Sequence, residues 1–390
     1  MIRAYLDNNA TTKPAAAVVA AMMPYLTELY FNPSSAAGQI NGAAKAVPSA
    51  KRAVADLLGN VDLASRFVLT SGASEANSWV FNSVTRQAKP CHLVISAIEH
   101  PSVLAAARAT TERGHQVDIA PVDKNGLIEI DTLSQLLRPD TALVSIMLAN
   151  NETGVVQPIG QLAKMIRIQA PSTWIHTDAT QAVGKIPINL DDDLREVDLV
   201  SMSAHKFHGP KGIGALFIRD GLTLGPLIHG EQEDGLRGGT LNSAAAAGLA
   251  VASDIAASRL ANMEHVALLR DAFEDRLISN VAGLQVNGKS LVRLPNTASI
   301  TIDGTDANEL VDALGLEEVF IATGSACSAG SDKPSHVLTA MGLSYERARS
   351  TIRVSLSHET TSAEIDLLYE LLTKNVNAMR NRTGGNLPLL

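Results

Sequence analysis

Five short apolar runs in the first two thirds of the sequence each end abruptly in small and polar residues, and longer segments with helical periodicity separate them. The runs cover residues 66–72, 92–100, 141–152, 173–181 and 197–206. Strands that alternate with helices in this way predict a mostly parallel sheet, and their nearly continuous apolar character predicts that both faces of the sheet are covered. Because ligands of such sheets bind outside the carboxyl ends of the strands, the polar residues that end these runs are the first place to look for a functional site.

The alternating pattern extends from about residue 14 to residue 257 and then changes. A chain of 390 residues is long for a single hydrophobic core, so two domains are expected. After residue 257 a charged amphipathic stretch is followed by two strand-like runs and a final helix. We therefore predict an α/β fold with a large domain over residues 14–257 and a smaller α+β domain formed by residues 1–13 and 258–390.

The final helix has a clear beginning and a regular apolar face. Thr361 and Glu364 form the capping-box pattern, in which each side chain bonds to a main-chain N–H at the start of the helix. Apolar residues then recur at helical spacing, which predicts a face that packs against a core. These residues are Ile365, Leu368, Leu372 and Val376.

The charge and composition of the chain argue against several classes of function. The net charge of −8 argues against a direct nucleic-acid partner, which normally requires clustered Lys and Arg. The most apolar run, residues 244–252, is too short to span a bilayer and is expected to be a packed helix, so no membrane partner is expected. The chain begins without the features of a signal peptide and has only two cysteines, which predicts a cytoplasmic protein without disulfide bonds.

Lys206 and Asp178 end two consecutive strands of the predicted sheet. A single loop lysine is most often simply solvated. A single aspartate at a strand end is about as often a helix cap as a functional residue. A lysine in a ligand cleft can instead form a Schiff base, and an aspartate can keep a pyridine ring protonated. The two together favour a site for pyridoxal 5′-phosphate.

The phosphate of such a cofactor needs a binding element, and the sequence offers two candidates. Residues 70–79 have the pattern of a strand, a turn of small residues and a helix, whose first N–H groups and dipole favour an anion. The glycine-rich residues 237–242 are a second candidate, although such a stretch is more often a plain loop. The nucleotide P-loop pattern does not occur in the sequence, so a nucleotide is not indicated.

Three further residues are candidates for catalysis or substrate binding. His100, at a strand end, is either an ordinary surface histidine or one that stacks on a ring and transfers protons. Arg353 is either an exposed strand residue or the group that binds a substrate carboxylate. Cys327, among Gly, Ala and Ser, is either inert or a reactive thiol in a loop that must move, whereas Cys91 is expected to be a buried bystander. The spacing of Cys and His does not resemble a zinc site, so no metal is expected.

Eight sequence motifs occur in the order found in cysteine desulfurases of the NifS/IscS type, and the resemblance covers nearly the whole chain. The motifs are YLDNNATT, GASEAN, EHPSVL, NNETGVVQPI, HTDATQAVGKIPI, SAHKFHGPKGIGAL, RGGT and GSACSAGSDKPSHVL. The resemblance implies a fold-type I pyridoxal-phosphate transferase, usually a homodimer, with a mainly parallel seven-stranded sheet. It also implies that L-cysteine is converted to L-alanine, and that the sulfur stays on the enzyme as a persulfide until a sulfur-acceptor or scaffold protein takes it.

The same resemblance assigns roles to individual residues. Lys206 matches the Schiff-base lysine, Asp178 the partner of the ring nitrogen, and His100 the histidine that stacks on the ring. Cys327 matches the persulfide cysteine, which is also a candidate transient iron–sulfur ligand, and Arg353 matches the arginine that binds the substrate carboxylate. The other matched residues are Ala73, Ser74, Ser203 and His205 at the phosphate, Asn151 and Gln181 at the phenolic oxygen of the ring, Asn151 also at the substrate, and Thr240 at the phosphate of the other subunit.

Two segments depart from the family pattern. Asp234 and Gly239 replace Arg and Ser within residues 229–240, and Asp332 and Lys333 stand where Leu and Glu are common. These differences leave the matched catalytic residues in place and change surfaces that partners would contact. The sulfur acceptor stays open between iron–sulfur cluster assembly, tRNA thiolation and DNA phosphorothioation.

Two other functions remain open at this point. A selenocysteine lyase, or another class-V aminotransferase-like enzyme, would keep Lys206 and Asp178 without needing a cysteine among small residues. A sulfur-delivery scaffold that only binds partner proteins would not bind the cofactor at all.

Overall fold

The computed structural model describes residues 3–86, 89–324 and 334–382. Within these ranges the strands are β1 (Ala4–Tyr5), β2 (Phe67–Thr70), β3 (His92–Ser96), β4 (Gln116–Ala120), β5 (Thr141–Ser145), β6 (Trp174–Asp178), β7 (Leu199–Ser203), β8 (Gly214–Ile218), β9 (Leu284–Val286), β10 (Thr297–Ile302), β11 (Val319–Phe320), β12 (Ala322–Thr323) and β13 (Thr351–Ser355). The helices are α1 (Ala16–Thr27), α2 (Ala36–Asn41), α3 (Ala46–Leu57), α4 (Ala73–Val84), α5 (Pro101–Glu112), α6 (Ile130–Leu136), α7 (Ile159–Gln169), α8 (Ser243–Arg259), α9 (Met263–Asn280), α10 (Ala307–Leu316), α11 (His336–Ala340), α12 (Tyr345–Arg349) and α13 (Ser362–Arg382).

Seven strands form the central sheet, in the order β2-β8-β7-β6-β5-β3-β4. The strands from β7 to β4 pair in parallel, and β8 runs antiparallel to both of its neighbours. Strand β2 therefore points the same way as β7, so the carboxyl ends of all strands except β8 lie along one edge. The predicted α/β fold with a mainly parallel seven-stranded sheet is confirmed.

The apolar runs are nearly continuous because the sheet is covered on both faces. Successive residues of a strand point to opposite faces, and β2 shows the result. Phe67 and Leu69 belong to a core with α3, α7 and α8, whereas Val68 belongs to a core with α4 and α5. Each residue of β2, β3 and β7 is buried, so these strands contain few polar positions.

The last third of the chain builds a separate core around a second sheet. Strands β12, β13, β10 and β9 pair antiparallel in that order and pack with α9, α10 and α13. The first residues of the chain join this sheet, since β1 pairs with β11 and Asp7 bridges to Ser355. The boundary after residue 257 stays a prediction, because α8 continues through it.

Helix α13 begins as the capping box predicts. The Thr361 N–H donates to Glu364 Oε2 at 2.8 Å, and the Glu364 N–H donates to Thr361 Oγ1 at 3.3 Å. The four predicted apolar residues of this helix are buried in the second core.

Residues 243–280 are long and apolar enough to cross a membrane by length and composition alone. A short 3-10 turn, Leu260–Asn262, divides them into α8 and α9. Helix α8 packs against α3 and α1, and its residues 243–249 are all buried. This arrangement is that of the packed helix predicted for residues 244–252.

The five predicted runs omit two strands of the central sheet, β4 and β8. Strand β4 is an edge strand in which only Ala120 is buried, so it lacks a continuous apolar run. Strand β8 begins at Gly214 directly after a glycine-rich loop, and the loop pattern obscures its beginning.

Candidate active site

A cleft of about 540 Å³ lies at the carboxyl edge of the central sheet. Nine of the ten residues that the family resemblance places at the cofactor line it, and Thr240 does not. The nine are Ala73, Ser74, His100, Asn151, Asp178, Gln181, Ser203, His205 and Lys206. The topology explains the grouping, because these residues end or follow β2, β3, β5, β6 and β7, whose carboxyl ends share that edge.

The turn between β2 and α4 provides an anion-binding element. Gly72 has a φ of 153°, which side-chain-bearing residues rarely adopt, and α4 begins directly after it at Ala73. The first N–H groups of a helix lack partners within the helix and lie at the positive end of its dipole. Since Ala73 and Ser74 line the cleft, this end of α4 favours a phosphate.

Asp178 ends β6 as a buried carboxylate with two donors. Its Oδ2 accepts a hydrogen bond from Asn77 Nδ2 at 2.8 Å, and its Oδ1 accepts one from the Thr180 N–H at 2.9 Å. Asn77 Nδ2 also contacts Ser102 Oγ at 3.0 Å. Both donors are neutral, so they orient the carboxylate without cancelling its charge, which remains to attract a cationic group in the cleft.

His100 caps the beginning of α5, and this fixes its tautomer. The Ser102 N–H donates to His100 Nδ1 at 3.1 Å, so this nitrogen is an acceptor and neutral His100 carries its proton on Nε2. Burial lowers the pKa of His100; the charge of Asp178 opposes this shift, and that of Lys206 adds to it. His100 is therefore neutral at pH 7, with an Nε2–H donor.

Lys206 lies in the short turn after β7. Its Nζ donates to the main-chain oxygens of Asn9 at 2.6 Å and Ala10 at 2.8 Å. Burial, followed by the charge of Lys206, lowers the pKa of the neighbouring His205 to about 4. The charged side chains at this end of the cleft thus include Lys206, Asp178 and Lys211, with His100 and His205 beside them.

Arg353 is buried, with an exposed fraction of 1%, which removes the alternative of an exposed strand arginine. Its Nη2 contacts Asp7 Oδ1 at 2.5 Å, and its Nη1 donates to the main-chain oxygen of Asn151 at 3.1 Å. Arg353 does not line the cleft itself, but it adjoins the cleft through Asn151. Its Nε has no hydrogen-bond partner among the described residues.

Two buried carboxyl groups lie next to cleft residues in the sequence. Glu99 Oε1 accepts hydrogen bonds from Ser96 Oγ at 2.5 Å and from the Met147 N–H at 2.8 Å. Burial raises the pKa of Glu99 to about 8 and that of Glu152 to about 7. Ser335 donates a hydrogen bond to Glu152.

Cys327, matched to the persulfide cysteine, lies outside the described residues, as do Asp332 and Lys333. Described residues on either side of it, Gly324 and Ser335, form hydrogen bonds. The Gly324 N–H donates to the Thr351 oxygen at 2.7 Å, and Ser335 contacts Glu152, which follows Asn151 in the sequence.

Thr240 is exposed on this chain and does not line the cleft. Arg237, three residues earlier, forms two hydrogen bonds with the Glu75 carboxylate, at 2.9 and 3.1 Å. The guanidinium of Arg237, in the glycine-rich segment 237–242 that was a candidate phosphate-binding element, is thus hydrogen-bonded to Glu75.

Cys91 is buried, and burial raises the pKa of its thiol, as expected of a residue without a catalytic role.

Sequence reasoning missed three residues that organise the cleft: Asn77, which joins Asp178 to Ser102, and Asn9 and Lys185, which contact Gln181. Each lies within a motif that resembles the family, and polar residues within such motifs are the signal that could have identified them.

Among the described residues, no group of three or more His, Cys, Asp or Glu side chains is placed to hold a metal ion.

The fold and the cleft define a class of protein. A mostly parallel sheet carries a lysine, a buried aspartate and a helix N-terminus at its carboxyl edge, which is the set that pyridoxal-phosphate enzymes use. The family described as aminotransferase class-V matches residues 4–368. The chain belongs to the aminotransferase class-V family.

The relatives in this family share a narrower activity. The chain is 42% identical over 384 residues to a cysteine desulfurase of Cereibacter sphaeroides, covering 97% of both chains. It is 40% identical to cysteine desulfurase 2 of Trichormus variabilis, covering 96% of this chain and 94% of the relative. A solved NifS-like protein superposes with a TM-score of 0.89 at 34% identity, covering 97% of this chain and all of that one. The resemblance to NifS/IscS-type cysteine desulfurases is confirmed, and the lyase or aminotransferase alternative is not favoured.

Proposed function

We propose that this chain removes sulfur from L-cysteine with the help of bound pyridoxal 5′-phosphate, giving L-alanine and a persulfide on Cys327. The observation that carries the proposal is the grouping of Lys206, Asp178 and His100 in one cleft of a chain that resembles a cysteine desulfurase over 97% of its length. The reaction balances: the C–S bond of the substrate breaks, the Cys327 sulfur bonds to the released sulfur, and the thiol protons pass to alanine and the persulfide.

The residues of the cleft fit the cofactor. Lys206 offers an amine for its aldehyde, Asp178 a carboxylate for its ring nitrogen, and the N-terminus of α4 a site for its phosphate. Thr180 also lines the cleft, and its Oγ1 is buried without a hydrogen-bond partner among the described residues. Because buried polar atoms are normally paired, an unsatisfied hydroxyl here indicates that the cleft takes a polar ligand.

Pyridoxal 5′-phosphate bound here would supply the electron-withdrawing group that weakens the bonds at the substrate's α-carbon. Lys206 Nζ takes the α-proton, and Asp178 keeps the proton on the ring nitrogen. His100 accepts the Ser102 N–H at Nδ1, so it supplies a proton from Nε2 rather than accepting one there. Arg353 and Asn151 bind the substrate carboxylate, since Arg353 carries a buried positive charge beside the cleft.

We also propose that the enzyme is a homodimer. Apolar residues of α1, of α2 and of the segment between them are exposed, among them Leu26 at 60%, Tyr30 at 70% and Ile40 at 88%. Exposed apolar groups of this number favour contact with a second copy. Thr240 is exposed and lies outside its own cleft, as a residue that completes the partner's phosphate site would be.

A mixing experiment tests the dimer. Lys206→Ala and Thr240→Ala proteins are unfolded together and refolded as a mixture. If Thr240 serves the partner's site, a mixed dimer contains one intact site, and activity returns that neither variant has alone. If Thr240 serves its own site, no mixed dimer has an intact site and activity does not return.

We further propose that the enzyme is cytoplasmic and that it passes its sulfur to an acceptor or scaffold protein.

Separate substitutions of the two cysteines, Cys327 and Cys91, test the main proposal. Cys327→Ala should abolish sulfide release from L-cysteine in the presence of dithiothreitol, while the absorption band of the bound cofactor persists. Cys91→Ala is the matched control, because Cys91 is buried away from the cleft, and it should retain activity. Sulfide release by Cys327→Ala at the wild-type rate would exclude the persulfide role, and keto-acid formation would favour a transferase.

A further inference from the structure

The side-chain amide of Gln181 has a fixed partner at each end. Its Nε2 donates to the main-chain oxygen of Asn9 at 2.9 Å, and its Oε1 accepts a hydrogen bond from Lys185 Nζ at 2.7 Å. Gln181 is buried, with an exposed fraction of 5%, and it lines the cleft. Its orientation therefore decides whether the cleft meets a donor or an acceptor.

Rotation of this amide by 180° would be unfavourable at both ends. Oε1 would then face the Asn9 oxygen, which is also an acceptor, and the hydrogen bond that Lys185 Nζ donates to Oε1 would be lost. A buried polar group that loses its partner costs about 1–3 kcal/mol. Lys185 and the Asn9 carbonyl thus select the same orientation independently.

Lys185 is unusual because it is buried, with an exposed fraction of 6%. Burial lowers its pKa well below the ordinary value, and among the described residues it forms no ion pair. Its polar contacts are Gln181 Oε1 and, at 3.4 Å, Asn9 Oδ1. Burying an amine for packing alone is costly, so its contact with Gln181 is the feature that gives it a role.

Asn9 is held in place by contacts from every polar atom it has. Its N–H donates to Ser355 Oγ, its Nδ2 donates to the Asn151 oxygen and to Thr297 Oγ1, and its Oδ1 accepts from Asn296. Its main-chain oxygen accepts from Gln181 and also from Lys206. The carbonyl that fixes Gln181 is therefore itself fixed.

We propose that Lys185 is a positioning residue that, together with the Asn9 carbonyl, holds the Gln181 amide so that the second hydrogen of Nε2 is offered to the cleft. The inference rests on the proposed function, since Gln181 acts on the cofactor only if the cofactor binds here. A fixed donor stabilises an ionised oxygen on the bound ring. It therefore lowers the pH at which the absorption of the bound cofactor titrates.

The test is a spectrophotometric pH titration of the purified holoenzyme and its variants. Lys185→Met, which keeps the length of the side chain without its donor, should raise the apparent pKa of the bound cofactor by about 0.5–1 unit, the size expected for one hydrogen bond. In a Gln181→Met background the same change should have no further effect, because Lys185 acts through Gln181.

A second variant tests the orientation even if Lys185→Met does not fold. Gln181→Met removes the donor without adding a charge, so it should raise the apparent pKa as well. If Gln181 presented Oε1 to the cleft, removal of that oxygen would lower the apparent pKa instead. Gln157→Met is the control, since Gln157 is a buried glutamine outside the cleft, and it should change only thermal stability.

The outcomes separate this inference from the proposed function. A wild-type protein that shows no cofactor absorption after incubation with pyridoxal 5′-phosphate would overturn the proposed function. A wild-type protein that binds the cofactor, together with variants whose titration matches it, would overturn the role of Lys185 and leave the proposed function standing.

Discussion

Asp7 and Arg353 are joined by an ion pair although they are 346 positions apart in the chain, with Asp7 Oδ1 at 2.5 Å from Arg353 Nη2. Asp7 compensates the charge of an arginine that is only 1% exposed. If Arg353 binds the substrate carboxylate, Asp7 competes with the substrate for the same guanidinium. This pair therefore connects substrate affinity with stability.

We expect Asp7→Asn to lower the KM for L-cysteine several-fold and to lower the thermal midpoint. The amide keeps an acceptor oxygen for Arg353 but removes the competing charge, so more of the positive potential is available to the substrate. Steady-state kinetics and thermal unfolding measure the two effects. Asp306→Asn is the control, because Asp306 pairs with Arg349 at a partly exposed site; a higher KM in Asp7→Asn would contradict the competition.

Lys206→Ala should raise the pKa of both His205 and His100. The positive charge of Lys206 contributes to the lowering of both values, after burial, and its removal leaves burial as the main cause. NMR titration of the imidazole signals in the cofactor-free protein measures the change. Lys211→Ala should raise only the pKa of His205, since Lys211 contributes to the shift of His205; equal effects of the two variants on His100 would contradict this assignment.

Glu99→Gln should become more stable relative to the wild type as the pH rises. The pKa of Glu99 is about 8 in the folded protein and 4.5 ordinarily, so between these values the folded state holds a proton that the unfolded state has lost. The contribution of Glu99 to the free energy of unfolding of the wild type therefore falls as the pH rises, by up to about 1.4 kcal/mol per pH unit. Glutamine does not titrate, and its amide oxygen can accept from Ser96 and Met147.

Denaturant unfolding of both proteins at pH 5, 6.5 and 8 measures this difference. Glu152 is present in both proteins, so its own contribution cancels. A difference in unfolding free energy that stays constant from pH 5 to pH 8 would show that Glu99 is ionised in the folded protein.

Glu274→Gln should lower the free energy of unfolding by about 3–5 kcal/mol. Glu274 makes two hydrogen bonds of 2.8 Å to Arg293, and both side chains are almost fully buried. The substitution leaves a buried arginine with only a more distant carboxylate, Asp271 Oδ1 at 3.8 Å. Asp366→Asn removes an exposed pair with Arg276 and should cost at most about 1 kcal/mol; equal losses in urea unfolding would refute the distinction.

The sequence predicts the sheet and most of the cleft for a local reason. Asp178 and Ser203 are the last residues of their strands, and apolar runs that end in polar residues are visible without any structure. The edge strand β4 is not predictable in this way, because its exposed residues break the apolar pattern. The seven-stranded count came from the family resemblance.

The contacts of Asn9 and Arg353 could not be predicted from local patterns. Asn9 contacts Thr297, 288 positions away, and Arg353 contacts Asp7 at the other end of the chain. Periodicity reports which face of an element is buried, and it contains no information on which distant segment completes a polar network. Resemblance to a family indicates that such residues matter, while the hydrogen bonds show what they do.

The contacts of Asn9 also set the order in which a newly made chain can become active. Asn9 is synthesised well before its N–H partner, Ser355, which lies 346 positions later in the chain. Domains generally fold as they emerge, so the central sheet can form while Asn9 still lacks this partner. The carbonyl that holds Gln181 and Lys206 then gains its full support only after Ser355 has been made, so the cleft is completed later than the sheet that carries it.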